Sequence, residues 1–438
     1  MHRHTNRRFI LMTGAEFTSG VLFALLFSIF VGKISPSAMS TSSLGNQAIG
    51  TLTAVFNMLA TGASILCARL IGEGDTREAS RIVEQTTLLC AVTSTAAALL
   101  CVVFARPIMR LLMPCAEEAV FQEGLSYFRT IILSLPFLML LTVMAGALRA
   151  AGDPKSPLLI ALSTNVLLFL FAFLFLSAFD LGATGAGLCY LCARVCGTAI
   201  AFAVALRSHD KFVLSVKNML RPHVPSFKRV LHVGFPTAVE GVFVQIGYLI
   251  ANAMVMGLGT YEAAVYNISY TIYGFIALPQ SICSACATTI IGQLIGAGEK
   301  QNAKKTGWRV WRIGMITSLL LGGAVAFCTP ALGRLYTTDA AVIAGIATMA
   351  IPMVFQCIPG ISLNTLDPQL RVGGDVKYVM AVTVVAVWTI RLPLTYLMCY
   401  KWGMGAGGVY WANTISLAVR AAFNMRRFAQ GKYLSMRV

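Results

Sequence analysis

Apolar runs of roughly 20 residues recur from one end of the chain to the other, each long enough to cross a hydrocarbon core of about 30 Å as a helix. Short polar gaps separate them. Leu158 to Phe179 is the clearest run, with Asn165 its only strongly polar residue. Alternation of period 2 is absent, which argues against a β-barrel. In the first half the pattern predicts spans at about 9–32, 43–70, 82–105, 122–148, 157–179 and 184–206. In the second half it predicts spans at about 231–257, 264–294, 308–330, 341–369, 378–400 and 406–428. The expected fold class is an all-α integral membrane protein with twelve transmembrane helices.

The polar gaps themselves repeat. Ile71-Gly72-Glu73-Gly74-Asp75 returns about 224 residues later as Ile295-Gly296-Ala297-Gly298-Glu299. Arg149-Ala150-Ala151-Gly152-Asp153-Pro154-Lys155 returns as Arg371-Val372-Gly373-Gly374-Asp375-Val376-Lys377. Asp180-Leu181-Gly182-Ala183-Thr184-Gly185 matches Lys401-Trp402-Gly403-Met404-Gly405-Ala406. Such glycines let the chain turn and let helices approach closely. Six spans per half make both halves enter the membrane in the same direction. The repeat is then parallel, with its pseudo-twofold along the membrane normal, a usual build of secondary transporters. The expected organisation is an N-terminal lobe of residues 1–207, a linker of 208–228 and a C-terminal lobe of 229–438. The linker region carries Arg207, Lys211, Lys217, Arg221 and Lys228 with Pro222 and Pro225, and is expected to lie partly on anionic headgroups.

Composition agrees: 57% of residues are hydrophobic and 12% charged, about half the charge of a soluble domain, with a mean hydropathy of +0.75. A net charge of +17 invites a nucleic-acid reading. The basic residues, however, lie in loops between spans. About 26 of the 34 Lys and Arg fall on the side shared by both termini, against Lys33, Arg106, Arg110, Arg129, Arg334 and Lys401 opposite. The positive-inside rule then puts both termini in the cytoplasm of a cell (inner) membrane, with the bilayer as partner and no nucleic acid. Residues 1–31 resemble a signal peptide, but Glu16 interrupts the apolar region and no small-residue cleavage site precedes Gly32. They are read as a retained first span. Cysteines such as Cys90, Cys189, Cys283 and Cys286 sit within apolar runs, and Cys189-x2-Cys192 has no second pair or nearby His. They read as reduced core residues and not as a zinc site.

The motifs resemble those of multidrug and toxic compound extrusion transporters, over nearly the whole chain. The strongest element is Leu370-Arg371-Val372-Gly373-Gly374-Asp375-Val376-Lys377, followed by Trp388, Arg391-Leu392-Pro393-Leu394 and Tyr396-Leu397. Gly292-Gln293-Leu294-Ile295-Gly296-Ala297-Gly298 and the stretch from Arg149 to Pro157 add to it. The resemblance implies two six-helix lobes around a cavity that opens alternately to each side. It implies export of varied organic, mostly cationic compounds, driven by an inward Na+ or H+ gradient without nucleotide hydrolysis. No cofactor is expected beyond the coupling ion, and no phosphate-binding loop is present. A monomer is expected.

An ionisable residue within a span is costly and therefore a functional candidate. Glu240 lies in span 7, four residues after Pro236, and Glu16 lies 224 residues earlier at the matching place in span 1. Burial raises a carboxyl pKa, so either group can hold a proton or exchange it for sodium or a cationic drug. The rival reading places both at the headgroups. Gln245, Asn252 and Asp367 join Glu240 as cation-coupling candidates, and Glu240 is a possible Na+ ligand. A local ion pair with Arg371 is the rival for Asp367. Tyr266, Tyr270 and Tyr273 share one helix face and suit a planar cation, or else an interfacial aromatic belt. Asn57, Asn267, Gln280 and Asn364 complete the expected substrate-binding set. Arg194 and Arg391 are read as structural cations that neutralise a carboxylate or cap helix-end carbonyls. Arg149, Asp153, Arg371 and Asp375 are read as capping groups and charge clamps. Where the resemblance implies an Asp late in span 1, this chain has Phe27, and after Asn165 the run is Leu167 to Phe171. Coupling is therefore expected in the C-terminal lobe.

Two other classes stay open. A flippase for lipid-linked precursors needs a markedly cationic cavity, for which Arg194 and Arg391 are thin support. A non-transporting membrane scaffold would not need matched intramembrane carboxylates. An enzyme is not expected, because His2, His4, His209, His223 and His232 all lie near the cytoplasmic side.

Overall fold

Each long apolar run of the sequence is helical. The computed structural model describes residues 3–34, 36–112, 118–179, 181–207, 214–219 and 221–435. Residues 208–213 and 220 of the expected linker, 113–117 between the third and fourth spans, and Asp180 lie outside the described residues. Among the described residues the chain forms twelve long helical segments and no strand. The first six are α1 (Arg3–Ile34), α2 (Pro36–Glu73), α3 (Thr76–Val103), α4 (Phe121–Ala150), α5 (Lys155–Ala178) and α6 (Gly182–Arg207). The next six are α7 (Val224–Met256), α8 (Thr260–Ile276 continued by Leu278–Gly296), α9 (Lys300–Tyr336), α10 (Ala340–Val372), α11 (Val376–Lys401) and α12 (Gly405–Gln430). Among the described residues, ten helices are long and apolar enough to cross a membrane. Large apolar side chains stand on the outside, such as Phe327 at 89% exposure and Leu335 at 78%. On a soluble protein such residues would be a liability; a lipid-facing surface requires them. The chain is therefore a multi-pass membrane protein.

The parallel repeat is visible in the turns. After α4, Asp153 N donates to Leu148 O at 3.0 Å and Gly152 N to Arg149 O at 2.8 Å. After α10, Asp375 N donates to Leu370 O at 2.9 Å and Gly374 N to Arg371 O at 3.0 Å. Gly152 has φ +79° and Gly374 φ +102°. A side chain there would clash with its own backbone, so the helix stop is written into the glycine. The turns after α2 and α8 close in the same way, through Asp75 N to Leu70 O and Glu299 N to Leu294 O, both 2.9 Å.

The chain divides into two compact units, residues 1–238 and 239–438. The seventh helix begins at Val224, earlier than the apolar pattern predicts. Pro222 and Pro225, which read as linker signals, flank its start, and Pro is tolerated in a first turn where its missing N–H has no partner. The segment before it is tied to α3. Gln85 Nε2 donates to Arg221 O at 2.8 Å, its Oε1 accepts from His223 N at 2.8 Å, and Glu84 Oε1 accepts from Ser215 N at 2.7 Å.

Within the first unit α7 also lies close against α2. A Cβ built at Gly62 would stand 3.2 Å from Val230 O and 3.3 Å from Gly234 N. Both are backbone atoms that cannot rotate away. Gly62→Val is expected to lower stability by about 1–3 kcal/mol through overpacking. Thermal unfolding of the purified variant in micelles checks this; an unchanged midpoint would show that the two helices can separate freely.

The cores are apolar and aromatic. In the first unit Phe27, Tyr127, Ile131, Met139 and Leu168 form one cluster. In the second, Val255, Tyr266, Ile276, Met353 and Tyr410 belong to another.

Candidate functional site

In the second unit four charged side chains from three helices meet. Glu240 comes from α7, just after Pro236 removes a rung of the helix ladder. Asp367 and Arg371 are one turn apart on α10, beside Pro368. Arg420 comes from α12. Arg371 Nη2 donates to Glu240 Oε2 at 2.8 Å. Arg420 Nη2 lies 3.8 Å from Glu240 Oε1 and 3.6 Å from Asp367 Oδ2, and donates to Thr383 Oγ1 at 2.8 Å. Asn424 Nδ2 donates to Asp367 Oδ1 at 2.6 Å. Glu240, Asp367, Arg391 and Arg420 are all buried. Two acids thus face two arginines, Arg371 being partly exposed, and the charges of this quartet cancel.

Asp367, Arg371 and Arg420, but not Glu240, line a cavity of about 340 Å3, with Gln280, Asn364 and Tyr273 among others. Asn364 Nδ2 donates to Gln280 Oε1 at 3.2 Å, and Gln280 Nε2 to Tyr273 Oη at 3.3 Å. A second cavity of about 200 Å3 shares Tyr248, Tyr273, Ala277 and Gln356 with the first. Its wall is Tyr248, Tyr266, Tyr270, Tyr273 and Tyr410, with Asn413 and Arg391. Arg391 is 2% exposed and its guanidinium carbon stands 3.8 Å from the centroid of the Tyr248 ring. Pro393 explains its setting. Pro393 has no N–H to give the Thr389 carbonyl its usual i+4 bond, and the preceding turn widens so that Leu392 N reaches back five residues to Val387 O.

The first unit repeats part of this. Arg149 forms a close charge-assisted bond to Glu16 Oε1 and lies over the Phe17 ring at 5.8 Å. Glu16 and Arg149 occupy the repeat positions of Glu240 and Arg371, so the same acid–arginine pair joins the first and fourth helices of each unit. The positions matching Asp367, Arg420 and Asn424 are Ala145, Ala199 and Ala203. Phe27 packs edge-on against Phe169 and Tyr190, with ring centroids 6.3 and 4.9 Å apart. Arg194 lies over Tyr190 at 5.0 Å and donates to Ser134 Oγ at 2.5 Å. The polar chemistry is therefore concentrated in the second unit.

The sequence assigned Glu240 and Arg371 to separate roles, and Glu16 and Arg149 likewise; the structure joins each pair. Of the expected residues, Tyr266, Tyr270, Tyr273, Gln280, Asn364, Asp367, Arg371 and Arg391 line one cavity or the other. Gln245, Asn252 and Asn267 line neither, and Asn267 bonds back to Ala263 O at 2.9 Å. Asn57 is half-buried on α2 of the first unit. Asp153 caps α5, its Oδ1 accepting from Lys155 N at 3.1 Å. Asp375 does not cap α11; Arg427 from α12 takes it at 2.5 Å, where the repeat-related residue is the apolar Leu206. Sequence reasoning missed Tyr248 and the stripe Tyr410, Asn413, Arg420 and Asn424. That stripe runs at helical spacing along α12 and was legible as one polar face.

Comparisons with known proteins agree with this architecture. A sequence profile of the family described as MatE matches residues 15–174 and 236–397. A "Probable multidrug resistance protein NorM" of Thermotoga maritima is 25% identical, covering 94% of this chain and 89% of that protein. An "Uncharacterized transporter YisQ" of Bacillus subtilis is 24% identical, covering 92% and 88%. Among solved structures, a MOP superfamily transporter from Pyrococcus furiosus superposes with a TM-score of 0.88 at 16% identity, covering 99% of this chain and 96% of that one. An outward-facing multidrug resistance MATE family transporter superposes with a TM-score of 0.85 at 17% identity, covering 98% and 96%.

Proposed function

Because this chain belongs to the MatE family, we propose that it is a multidrug exporter of the cell membrane, with both termini cytoplasmic. It moves small organic molecules, mostly cations, by alternating access and in exchange for Na+ or H+. The observation that carries this reading is the largely buried quartet of Glu240, Asp367, Arg371 and Arg420 at a polar cavity. Buried carboxylates whose charge is balanced by arginines are poised for exchange. A proton or sodium ion that takes Glu240 competes with Arg371 and Arg420 for the same oxygens, so ion binding and helix contacts are linked. Ion binding in this unit favours the outward-open state and releases the drug.

The test is ethidium uptake into proteoliposomes under a sodium gradient or a pH gradient imposed separately. Uptake driven by one gradient supports the reading and names the ion. If neither gradient drives ethidium or a small panel of cations, the exporter reading fails, and lipid-linked substrates become the next candidates.

A further inference from the structure

Lys305, Arg309 and Arg312 of α9 are exposed and share one helix face, at positions i, i+4 and i+7. No acid among the described residues lies within ion-pair distance of any of them. Other cations of this unit do find partners: the neighbouring Lys304 donates to Ala429 O at 2.7 Å, and Arg427 takes Asp375. The adjoining face holds α9 in this rotation. Trp311 Nε1 donates to Ser362 Oγ at 3.0 Å, and the Trp308 ring stands edge-on to Phe428 with centroids 5.3 Å apart. The first unit treats the same face differently. In α3 the matching positions are Arg81, Gln85 and Leu88. Arg81 pairs with Glu78 at 3.2 Å. Gln85 is buried and bonds the backbone of the returning segment at Asn218, Arg221 and His223, so chain lies across this face. In the second unit Asn302 stands where Glu78 would, and Arg309 and Arg312 replace Gln85 and Leu88. The face has lost its acid, gained two cations and is open among the described residues.

From this difference between the units we infer that the basic face of α9 is a binding site for an anionic phospholipid, in the leaflet on the side of the α8–α9 turn. The headgroup phosphate meets the guanidinium forks of Arg309 and Arg312 and the ammonium of Lys305. Farther along the same face α9 exposes Ile316, Leu320 and Phe327, so the acyl chains have an apolar stripe continuous with the cations. That continuity selects a lipid over a soluble anion, which has nothing to lay on the stripe. A second copy of this chain is disfavoured, because a twofold contact would set three cations against three. Trp308 and Trp311, half-buried beside the cations, put indoles at the depth where they favour the membrane–water interface. Basic residues at such a level attract anionic headgroups one by one; here three are held on one rigid helix face without an acid to satisfy them.

The test is native mass spectrometry of the delipidated full chain in neutral detergent, titrated with cardiolipin or with phosphatidylcholine. The first cardiolipin is expected to bind about tenfold more tightly than the first phosphatidylcholine. The triple variant Lys305→Gln, Arg309→Gln, Arg312→Gln is expected to remove that preference. A control variant that loses the same charge from other exposed positions, Lys300→Gln, Lys377→Gln, Arg426→Gln, is expected to keep it. Asn302→Glu restores the acid that α3 carries and is expected to weaken cardiolipin binding several-fold through Lys305. Equal affinity for the two lipids in the unsubstituted protein overturns the inference, whatever the variants do. Loss of the preference in both triple variants also overturns it, because the net charge and not this face would then hold the lipid. Inorganic phosphate that displaces cardiolipin at equal concentration removes the lipid from the assignment. A dimer that disappears in the α9 variant gives the face to a second copy of this chain and overturns it too.

Discussion

Glu240→Gln is expected to lower gradient-driven ethidium uptake by about tenfold or more, the scale of a lost coupling free energy between two sites. Gln keeps the shape of the side chain and removes the charge that an ion or proton competes for. Asp367, which pairs with Arg420, would then be the one acid of the quartet facing its two arginines. The Arg371 contact at 2.8 Å becomes neutral-to-cation, and Arg420 keeps Asp367 at 3.6 Å. Asp367 still compensates Arg420, and the introduced amide oxygen can accept from Arg371, so the variant should remain folded. Asp367→Asn is expected to act in the same direction more weakly, since Asn424 and Arg420 hold that carboxylate away from Arg371. Uptake by folded Glu240→Gln protein at the wild-type rate would show that coupling lies elsewhere. Dye binding without a gradient separates the two causes of failure, because a coupling residue can be lost while the drug still binds.

Arg149→Gln is expected to cost about 3–5 kcal/mol of stability, the range for breaking a buried ion pair from one side. Glu16 pairs with Arg149 among the described residues, and both side chains are largely buried, at 11% and 17% exposure. Removing the guanidinium strands the acid, whose Oε2 already has no hydrogen-bond partner. The repeat-related Arg371→Gln should cost less, because Arg420 stands 3.8 Å from Glu240 and takes over part of the compensation. Unfolding midpoints of both variants in micelles test the order. The double variant Glu16→Gln with Arg149→Gln should recover most of the loss, since no charge is then left unpaired. An Arg371→Gln variant as damaged as Arg149→Gln would remove Arg420 from the network.

The helices were legible because the length of an apolar run is itself the physical cause of a membrane span. The turns were legible for a similar reason: Gly152 and Gly374 hold backbone angles that other residues resist. The ion pairs were not. Glu16 and Arg149 are 133 positions apart, and Glu240 and Arg371 are 131 apart. Only the folded arrangement brings each acid within reach of the long arginine side chain, and one sequence holds no trace of that contact. Arg371 sits at the end of an apolar run, so it read as a capping group and charge clamp at a corner, whereas its side chain pairs with Glu240. Glu84 and Gln85 near the start of α3 carry no periodic signal, and their hold on the segment before α7 depends on where that segment returns. The second cavity was half legible. Its tyrosines at 266, 270 and 273 show helical spacing, but Tyr248 and Tyr410 come from other helices, and Pro393 gives no hint by itself that the turn before it widens around Arg391.

The separation along the chain of each acid from its arginine also bears on how the protein is made. A ribosome adds about 5–20 residues per second, so Glu16 enters the membrane on the order of 10 s before Arg149 is synthesised. During that interval its carboxylate has no partner, at a cost of a few kcal/mol on insertion scales. The first helix therefore leaves the insertion machinery cheaply only once the fourth has emerged. The seventh and tenth helices meet the same delay in the second unit. The repeat thus sets two checkpoints in biogenesis, and nascent chains arrested before Arg149 or before Arg371 should remain bound to the insertion machinery rather than released into lipid.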